Sequence, residues 1–158
     1  MKTVLVLRLL GLAVLAVEVQ AVAQVATEAQ LNSATGSYLS KTSNVAIVAD
    51  ITLSHYAQVL ERSMIIEGNG LTVSGNKSTR CFYLRGSVND TVLTVFNMTI
   101  TDGFALSSDT NLGGYGAAFM VVSYLSKLDL YDCMVSSNVV DRNGGAIYVT
   151  FGEFLTMT

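Results

Sequence analysis

The chain has 158 residues, of which 51% are hydrophobic and 13% charged, and its formal net charge is −3. This composition excludes intrinsic disorder, because so apolar a chain can bury enough surface to fold, and the acidic balance argues against nucleic acid as a partner. Two cysteines permit at most one intramolecular disulfide, so stability has to come from packing.

Residues 1–23 predict a secretory signal peptide. Lys2 precedes an apolar run over residues 4–17, and the small residues Ala21 and Ala23 provide a signal-peptidase site. The alternative is a membrane anchor, but the run gives only about 21 Å of helix against roughly 30 Å of hydrocarbon. We therefore expect cleavage after Ala23 and an extracellular or cell-surface protein, with the outer membrane as the alternative location. Three triplets compatible with glycosylation on a eukaryotic secretory route begin at Asn76, Asn89 and Asn97.

Residues 24–43 form the predicted N-terminal cap of the domain. Thr27 and Gln30 have the spacing of a capping box, in which both side chains bond free amides at the start of a helix. We expect a short amphipathic helix that includes Leu31, covers the first strands and protects their edge. The strand over residues 45–53 should then begin the sheet structure.

Internal repeats predict the architecture of residues 44–158. Residues 91–103 align with residues 126–138 so that apolar positions coincide. The same pattern recurs along the chain at the anchors Met64, Leu93, Leu128 and Leu155. Short alternating strands separated by Gly, Asn, Asp and Ser are typical of a solenoid whose coils stack in register. Each repeat position then forms a column along the solenoid.

A second strand type repeats in residues 81–84, 117–120 and 146–149. The alignment of these segments gives an outward aromatic column that consists of Tyr83, Phe119 and Tyr148. Flat rings one coil apart suit stacking on successive sugars, but ordinary cross-strand packing produces the same pattern and contributes roughly 0.2–1 kcal/mol per pair. Both interpretations are open, and these three residues are the candidate ligand-binding set.

Polar residues follow the first strand type. Asn97 aligns with Asp132, and Gly68 occupies the same place in the preceding coil. Asparagine and aspartate tolerate tight bends and bond nearby backbone groups. We therefore expect Asn97 and Asp132 to form a column of stacked structural turns.

Three segments, residues 65–70, 94–100 and 137–148, resemble right-handed parallel β-helix proteins of the pectin-lyase-like superfamily. The last segment is similar to the Gly-Gly-Ala-Ile repeat of polymorphic outer-membrane proteins. The resemblance covers residue 44 to the end and implies an all-β, right-handed parallel β-helix, here with a short N-terminal capping helix. It leaves the activity open, because this fold carries lyases, hydrolases and adhesins.

Few residues have a pattern that would suit catalysis or metal binding. The outward carboxylates of the first strand type are Glu67 and Asp129, which lie in different columns about 10 Å apart and are expected to be solvated surface charges. Residues 113–118 have the glycine spacing of a calcium solenoid, but Ala118 stands where the ligand aspartate belongs. His55 has no second ligand residue at suitable spacing. We predict no catalytic residue, no metal and no cofactor.

The two cysteines occupy different strand positions. Cys81 lies beside the outward aromatic column, whereas Cys133 aligns with Met98, which is predicted to point inward. Since a strand position fixes the direction of its side chain, a disulfide between them is awkward, although the sequence leaves pairing open.

These observations favour a non-catalytic secreted or cell-surface β-helix that binds a polysaccharide or a cell-surface protein. The alternative is the N-terminal part of a pectin-lyase-like lyase or glycoside hydrolase whose active-site coils are missing, and a purely structural stalk is the third hypothesis. Because residues 155–158 align with residues 128–131, the chain should end inside a strand. We expect an incomplete solenoid that self-associates through its open C-terminal coil.

Overall fold

The strands form three main parallel sheets that share one core. The computed structural model describes residues 22–36, 44–60, 63–85, 91–108, 113–122, 126–150 and 154–158. In spatial order, sheet A contains β1 (Val22–Val25), β2 (Asn44–Ile47), β5 (Met64–Glu67), β8 (Thr91–Phe96), β12 (Ser126–Tyr131) and β16 (Phe154–Met157). Sheet B contains β3 (Ile51–Thr52), β6 (Thr72–Ser74), β9 (Thr99–Thr101) and β13 (Met134–Ser136). Sheet C contains β4 (Ala57–Leu60), β7 (Phe82–Arg85), β11 (Phe119–Val122) and β15 (Ile147–Thr150), and β10 (Phe104–Ala105) pairs with β14 (Val139–Val140).

The chain visits the three sheets in rotation. From β2 onward it passes through sheets A, B and C and returns to sheet A, and each complete passage adds the next strand to every one of these sheets. Neighbouring parallel strands need a crossover connection, and the strands of the other two sheets supply it here. The predicted all-β class is therefore confirmed at the level of stacked parallel sheets, an order compatible with a solenoid.

The register predicted for sheet A is confirmed. Met64 pairs with Leu93, Leu93 with Leu128, and Leu128 with Leu155. Met64, Leu93 and Leu128 are buried, and so are the residues two positions further along these strands and Val45 in β2; the two-position set is Ile66, Val95 and Leu130. The alternation along each strand is what a sheet with one face on the core requires.

The first passage differs from the sequence prediction in two ways. The strand expected over residues 45–53 is divided into β2 and β3 by a bend at residues 48–50. β1 is an additional strand that pairs in parallel with β2 from Val22 to Val25. The predicted cleavage site after Ala23 lies inside β1. This strand escaped the sequence analysis because its apolar residues continue the hydrophobic leader.

The predicted capping helix is present as α1 (Glu28–Gly36). The backbone amide of Gln30 donates to Thr27 Oγ1 at 3.3 Å, while Gln30 Oε1 accepts from the amide of Ala26 at 2.8 Å. Leu31 is buried, and the helix packs against β4, the edge strand of sheet C. It therefore covers an edge that would otherwise present unpaired backbone groups.

The carboxylate of Glu28 fastens this helix to the bend before β4. It accepts hydrogen bonds from the backbone amides of Ser54 at 3.0 Å and His55 at 2.7 Å, and from Ser54 Oγ at 2.8 Å. Partial burial raises the pKa of Glu28, but the bonds from His55 and Ser54 outweigh it, so the pKa lies below its ordinary value. The ionised form is therefore the one that holds the helix in place.

We expect Glu28→Gln to lower the free energy of unfolding by about 1 kcal/mol near neutral pH, because the charge-assisted bonds to the 54–55 bend are lost. Because the pKa of Glu28 is lower in the folded than in the unfolded state, its ionised carboxylate stabilises the fold at pH values above the unfolded-state pKa of about 4.3. This stabilisation is lost as the pH falls through the folded-state pKa. The difference between native protein and variant should therefore vanish in acid. Urea unfolding at several pH values measures it, with the exposed Glu67→Gln as the control. A pH-independent difference would contradict this role.

The turns between sheets A and B are short and repeat along the stack. Asn97 and Asp132 have φ angles of +47° and +52°, and each is followed by a single residue before the next strand begins. At Gly68, in the same column, a Cβ atom would lie 2.3 Å from Met98 Cβ and 2.5 Å from Asn97 O. Only glycine fits this close approach between successive turns.

A second turn column lies after sheet B, and the sequence analysis did not identify it. Asp102 and Ser137 have φ angles of +52° and +53°. Asn138 Oδ1 accepts from the amide of Gly103 at 2.8 Å, and its Nδ2 donates to Ile100 O at 3.2 Å. One asparagine side chain thus satisfies backbone groups of the preceding passage.

Candidate functional site

The outward column of sheet C differs from the predicted aromatic column at its centre. Phe119 pairs with Phe82 and Ile147, while Met120 pairs with Tyr83 and Tyr148. The sequence alignment is therefore displaced by one residue at β11, and such a slip moves a side chain to the opposite face. Phe119 is 1% exposed in the core, where its ring stacks on Phe82 at 5.1 Å.

The outward column of sheet C consists of Tyr83, Met120 and Tyr148, and two of these side chains are buried. Tyr83 is 7% exposed and Met120 is 6% exposed. Tyr56 packs edge-on against Tyr83 with ring centroids 5.7 Å apart, and burial raises the pKa of the Tyr83 phenol. A continuous row of accessible rings therefore does not form, and Tyr148 is the member of the predicted set that keeps a partly exposed ring.

The inward position of Phe119 predicts that Phe119→Ala lowers the free energy of unfolding by about 3–5 kcal/mol, because it opens a cavity in the core. Phe96→Ala is the matched control: this ring lies on the outward face of sheet A and is partly exposed. Its loss should cost about 1 kcal/mol. Urea denaturation of both variants measures the difference, and equal losses would show that the register of β11 is wrong.

Two tyrosines form a stacked, partly exposed pair where a loop meets β15. The rings of Tyr115 and Tyr148 are 4.5 Å apart with planes at 25°. Arg142 lies over the Tyr115 ring, with Cζ 5.8 Å from the centroid, and its Nη1 is 3.5 Å from the Tyr115 hydroxyl. We call Tyr115, Tyr148 and Arg142 the tyrosine platform.

A fixed carboxylate borders this platform. Asp141 Oδ2 accepts from the backbone amide of Ser107 at 2.9 Å and from Ser107 Oγ at 2.6 Å. The bonds from Ser107 lower the pKa of the exposed Asp141, so the group is ionised at neutral pH. The amide of Arg142 donates to Gly114 O at 3.1 Å. Hydrogen bonds therefore join three loop segments beside the two rings.

The sequence analysis missed Tyr115 and Arg142 as site residues because they lie in loops, outside the columns of period two. One signal was available. Tyr115 is flanked by glycines, and Arg142 shortly precedes the pair Gly144 and Gly145. Glycine clusters around an aromatic or charged residue indicate that backbone segments approach each other closely. Here Gly116 lies so close to Tyr148 that a Cβ atom added to the glycine would be 2.9 Å from the Cβ of the tyrosine.

The two outward acids of sheet A lie in different columns, as predicted. Glu67 pairs with Phe96 and is exposed, whereas Asp129 pairs with Thr94. The expectation that both are solvated is wrong for Asp129, which is 5% exposed with Oδ2 at 2.9 Å from Lys127 Nζ. Phe96 stacks on Tyr131 at 4.9 Å in the neighbouring column. This geometry separates the carboxylates and engages one of them in an ion pair.

Within the described ranges, no three His, Cys, Asp or Glu side chains are arranged to hold a metal ion. His55 is exposed and lies near Glu28 and Ser54. Of the predicted glycosylation sites, Asn76 and Asn97 are exposed in turns, while Asn89 lies outside the described residues. No helix in the described ranges has the length and apolar character needed to span a membrane.

Both cysteines are free thiols. Cys81 lies in the core and not on the outward face, because it precedes β7 at a bend, and burial raises its pKa to about 12. Cys133 is half-buried, and burial raises its pKa as well. Its Sγ lies 3.3 Å from Tyr131 O.

We expect a maleimide to label Cys133 faster than Cys81 in the native protein, because reaction needs an accessible thiolate and Cys81 offers neither exposure nor ionisation. Peptide mass spectrometry of briefly labelled protein measures the two rates. Protein unfolded in urea is the control and should label at both positions. Preferential labelling of native Cys81 would contradict its place in the core.

Comparison with known proteins adds no relative to this description. No protein-family model, no curated protein and no solved structure matches the chain.

Proposed function

We propose that this protein is a non-catalytic, secreted or cell-surface right-handed parallel β-helix that binds carbohydrate through the tyrosine platform. The rotation of the chain through three parallel sheets supports the solenoid. The resemblance of residues 65–70, 94–100 and 137–148 to pectin-lyase-like proteins supports the right-handed winding of this solenoid. The apolar leader over residues 1–23 supports secretion.

One observation carries the binding proposal: the stacked pair of Tyr115 and Tyr148 stays partly exposed beside charged groups of both signs. Aromatic rings offer a flat apolar surface that suits the C–H face of a sugar. Arg142 supplies hydrogen-bond donors and Asp141 supplies acceptors for sugar hydroxyls. A few polar groups around an apolar surface are the usual composition of a small-molecule site.

The same geometry disfavours catalysis at this place. Asp141 is held ionised by Ser107, whereas a general acid for glycoside cleavage has to be protonated at working pH. Glu67 and Asp129 lie in separate columns of another sheet, and Asp129 is paired with Lys127. The alternative, a lyase or hydrolase, is supported by the family resemblance alone.

The test is binding of the full secreted chain to an array of plant, fungal and bacterial oligosaccharides, followed by calorimetry on the best ligand. Tyr148→Ala and Tyr115→Ala should each weaken binding about tenfold, or ~1.4 kcal/mol, because each removes one ring of the platform. Tyr148→Phe should keep most of the affinity, since the ring remains. Tyr131→Ala, which removes a stacked tyrosine from sheet A, is the matched control and should bind normally.

Three outcomes would contradict the proposal. The native protein binds no saccharide on the array, the Tyr131 variant loses as much affinity as the Tyr148 variant, or the protein releases new reducing ends or unsaturated products from a bound polysaccharide. Capture of a protein ligand by the same platform would instead favour the hypothesis that the chain binds a cell-surface protein.

A further inference from the structure

Arg80 is a buried arginine whose side chain is directed at a glycine-rich loop. It is 2% exposed and lies just before β7. Its Nε donates a hydrogen bond to Gly116 O at 2.8 Å and lies 3.3 Å from Tyr115 O. Its Nη2 donates to Tyr115 O at 2.6 Å and lies 3.4 Å from Gly113 O. Three backbone carbonyls of one short loop therefore face one guanidinium group.

We propose that the guanidinium group of Arg80 fills a cation site lined by backbone carbonyls. When the arginine side chain is removed, this site binds a free guanidinium ion. Converging carbonyl oxygens are the ligands that proteins use for hard cations. Residues 113–118 also have the glycine spacing of calcium-binding solenoids, with Ala118 in place of the acidic ligand. The carbonyl oxygens of Gly113, Tyr115 and Gly116 suit the planar donors of a guanidinium group, and Ala118 adds no carboxylate that would hold a calcium ion.

The shape of the guanidinium explains why arginine occupies this position. Its donors lie in a rigid plane, so that Nε and Nη2 reach the carbonyls of consecutive residues, Tyr115 and Gly116. A buried charge is tolerated only when hydrogen bonds replace its lost hydration. Lysine has one charged nitrogen and cannot reproduce the fork.

The site also determines where Tyr115 lies. Gly113 and Gly116 have φ angles of +54° and +53°, a conformation that glycine adopts without steric cost but does not enforce, so hydrogen bonds to the loop carbonyls restrict its freedom. Arg80 bonds the carbonyl of Tyr115 itself, whose ring stacks on Tyr148. Arg80 is therefore a positioning residue for the tyrosine platform, and this part of the inference rests on the proposed function.

The experiment compares the full-length variants Arg80→Ala and Arg85→Ala, the latter removing an exposed arginine from the end of β7. Hydrogen exchange of the amides of residues 115–118 and thermal melting are recorded with about 20 mM guanidinium chloride or with equal sodium chloride, far below the molar range in which guanidinium denatures. The ion itself is the probe, so this readout needs no carbohydrate.

In sodium chloride, loop exchange in the Arg80 variant should be at least roughly tenfold faster than in the Arg85 variant, because several charge-assisted bonds are lost. Guanidinium should slow that exchange and raise the melting temperature of the Arg80→Ala variant. Neither effect should occur in the native protein or in the Arg85→Ala variant. Equal exchange in the two variants, or equal effects of the two salts, would overturn the proposal.

Arg80→Lys keeps the experiment decisive if the alanine variant does not fold. It retains the charge, and its loop should still exchange faster than that of the Arg85 variant, since the planar fork is gone. Native-like protection in the lysine variant would show that charge alone suffices and would contradict the carbonyl-fork site. If the Arg80→Ala variant loses saccharide binding and guanidinium restores it, the positioning role is supported. If the native protein itself binds no saccharide, the proposed function is contradicted, but the result on loop exchange still stands.

Discussion

Parallel pairing along sheet A is the constraint on which the other features depend. Each strand of this sheet lies beside the strand from the previous passage, with Leu93 paired to Leu128 and Thr94 to Asp129. A shift of one residue would exchange the core face for the solvent face along the whole strand. The passages therefore have to return to sheet A in one register, whatever the length of the chain between them.

The turns after sheet A preserve this register, while the longer connections are free to vary. Asn97 and Asp132 repeat the same left-handed conformation in successive passages, so sheets A and B keep a constant relation. Between sheets B and C the chain forms the segments that carry Tyr115, Asp141 and Arg142. The candidate site lies there because loops on a rigid scaffold can change their side chains without disturbing the core.

Three charged groups next to the core each have a specific partner. Arg80 is surrounded by loop carbonyls, Asp129 is paired with Lys127, and Glu28 binds two backbone amides beside the first passage. A buried or partly buried charge stabilises a structure only when bonds of this kind replace water. Arg80 and Glu28 therefore join a loop and the capping helix to neighbouring segments of the fold, whereas Asp129 and Lys127 pair within one strand, β12.

The sequence by itself determined the features that depend on local periodicity. The anchors Met64, Leu93, Leu128 and Leu155 predicted the register of sheet A, and the spacing of Thr27 and Gln30 predicted the start of α1, because alternation and capping are set by neighbouring residues. The tertiary structure decided the position of Phe119, where a change in loop length displaced the alignment by one residue. It also decided that Tyr115 meets Tyr148 and that Arg80 meets the loop carbonyls, since contacts between loops depend on the stacking of successive passages and leave no periodic signal in the chain.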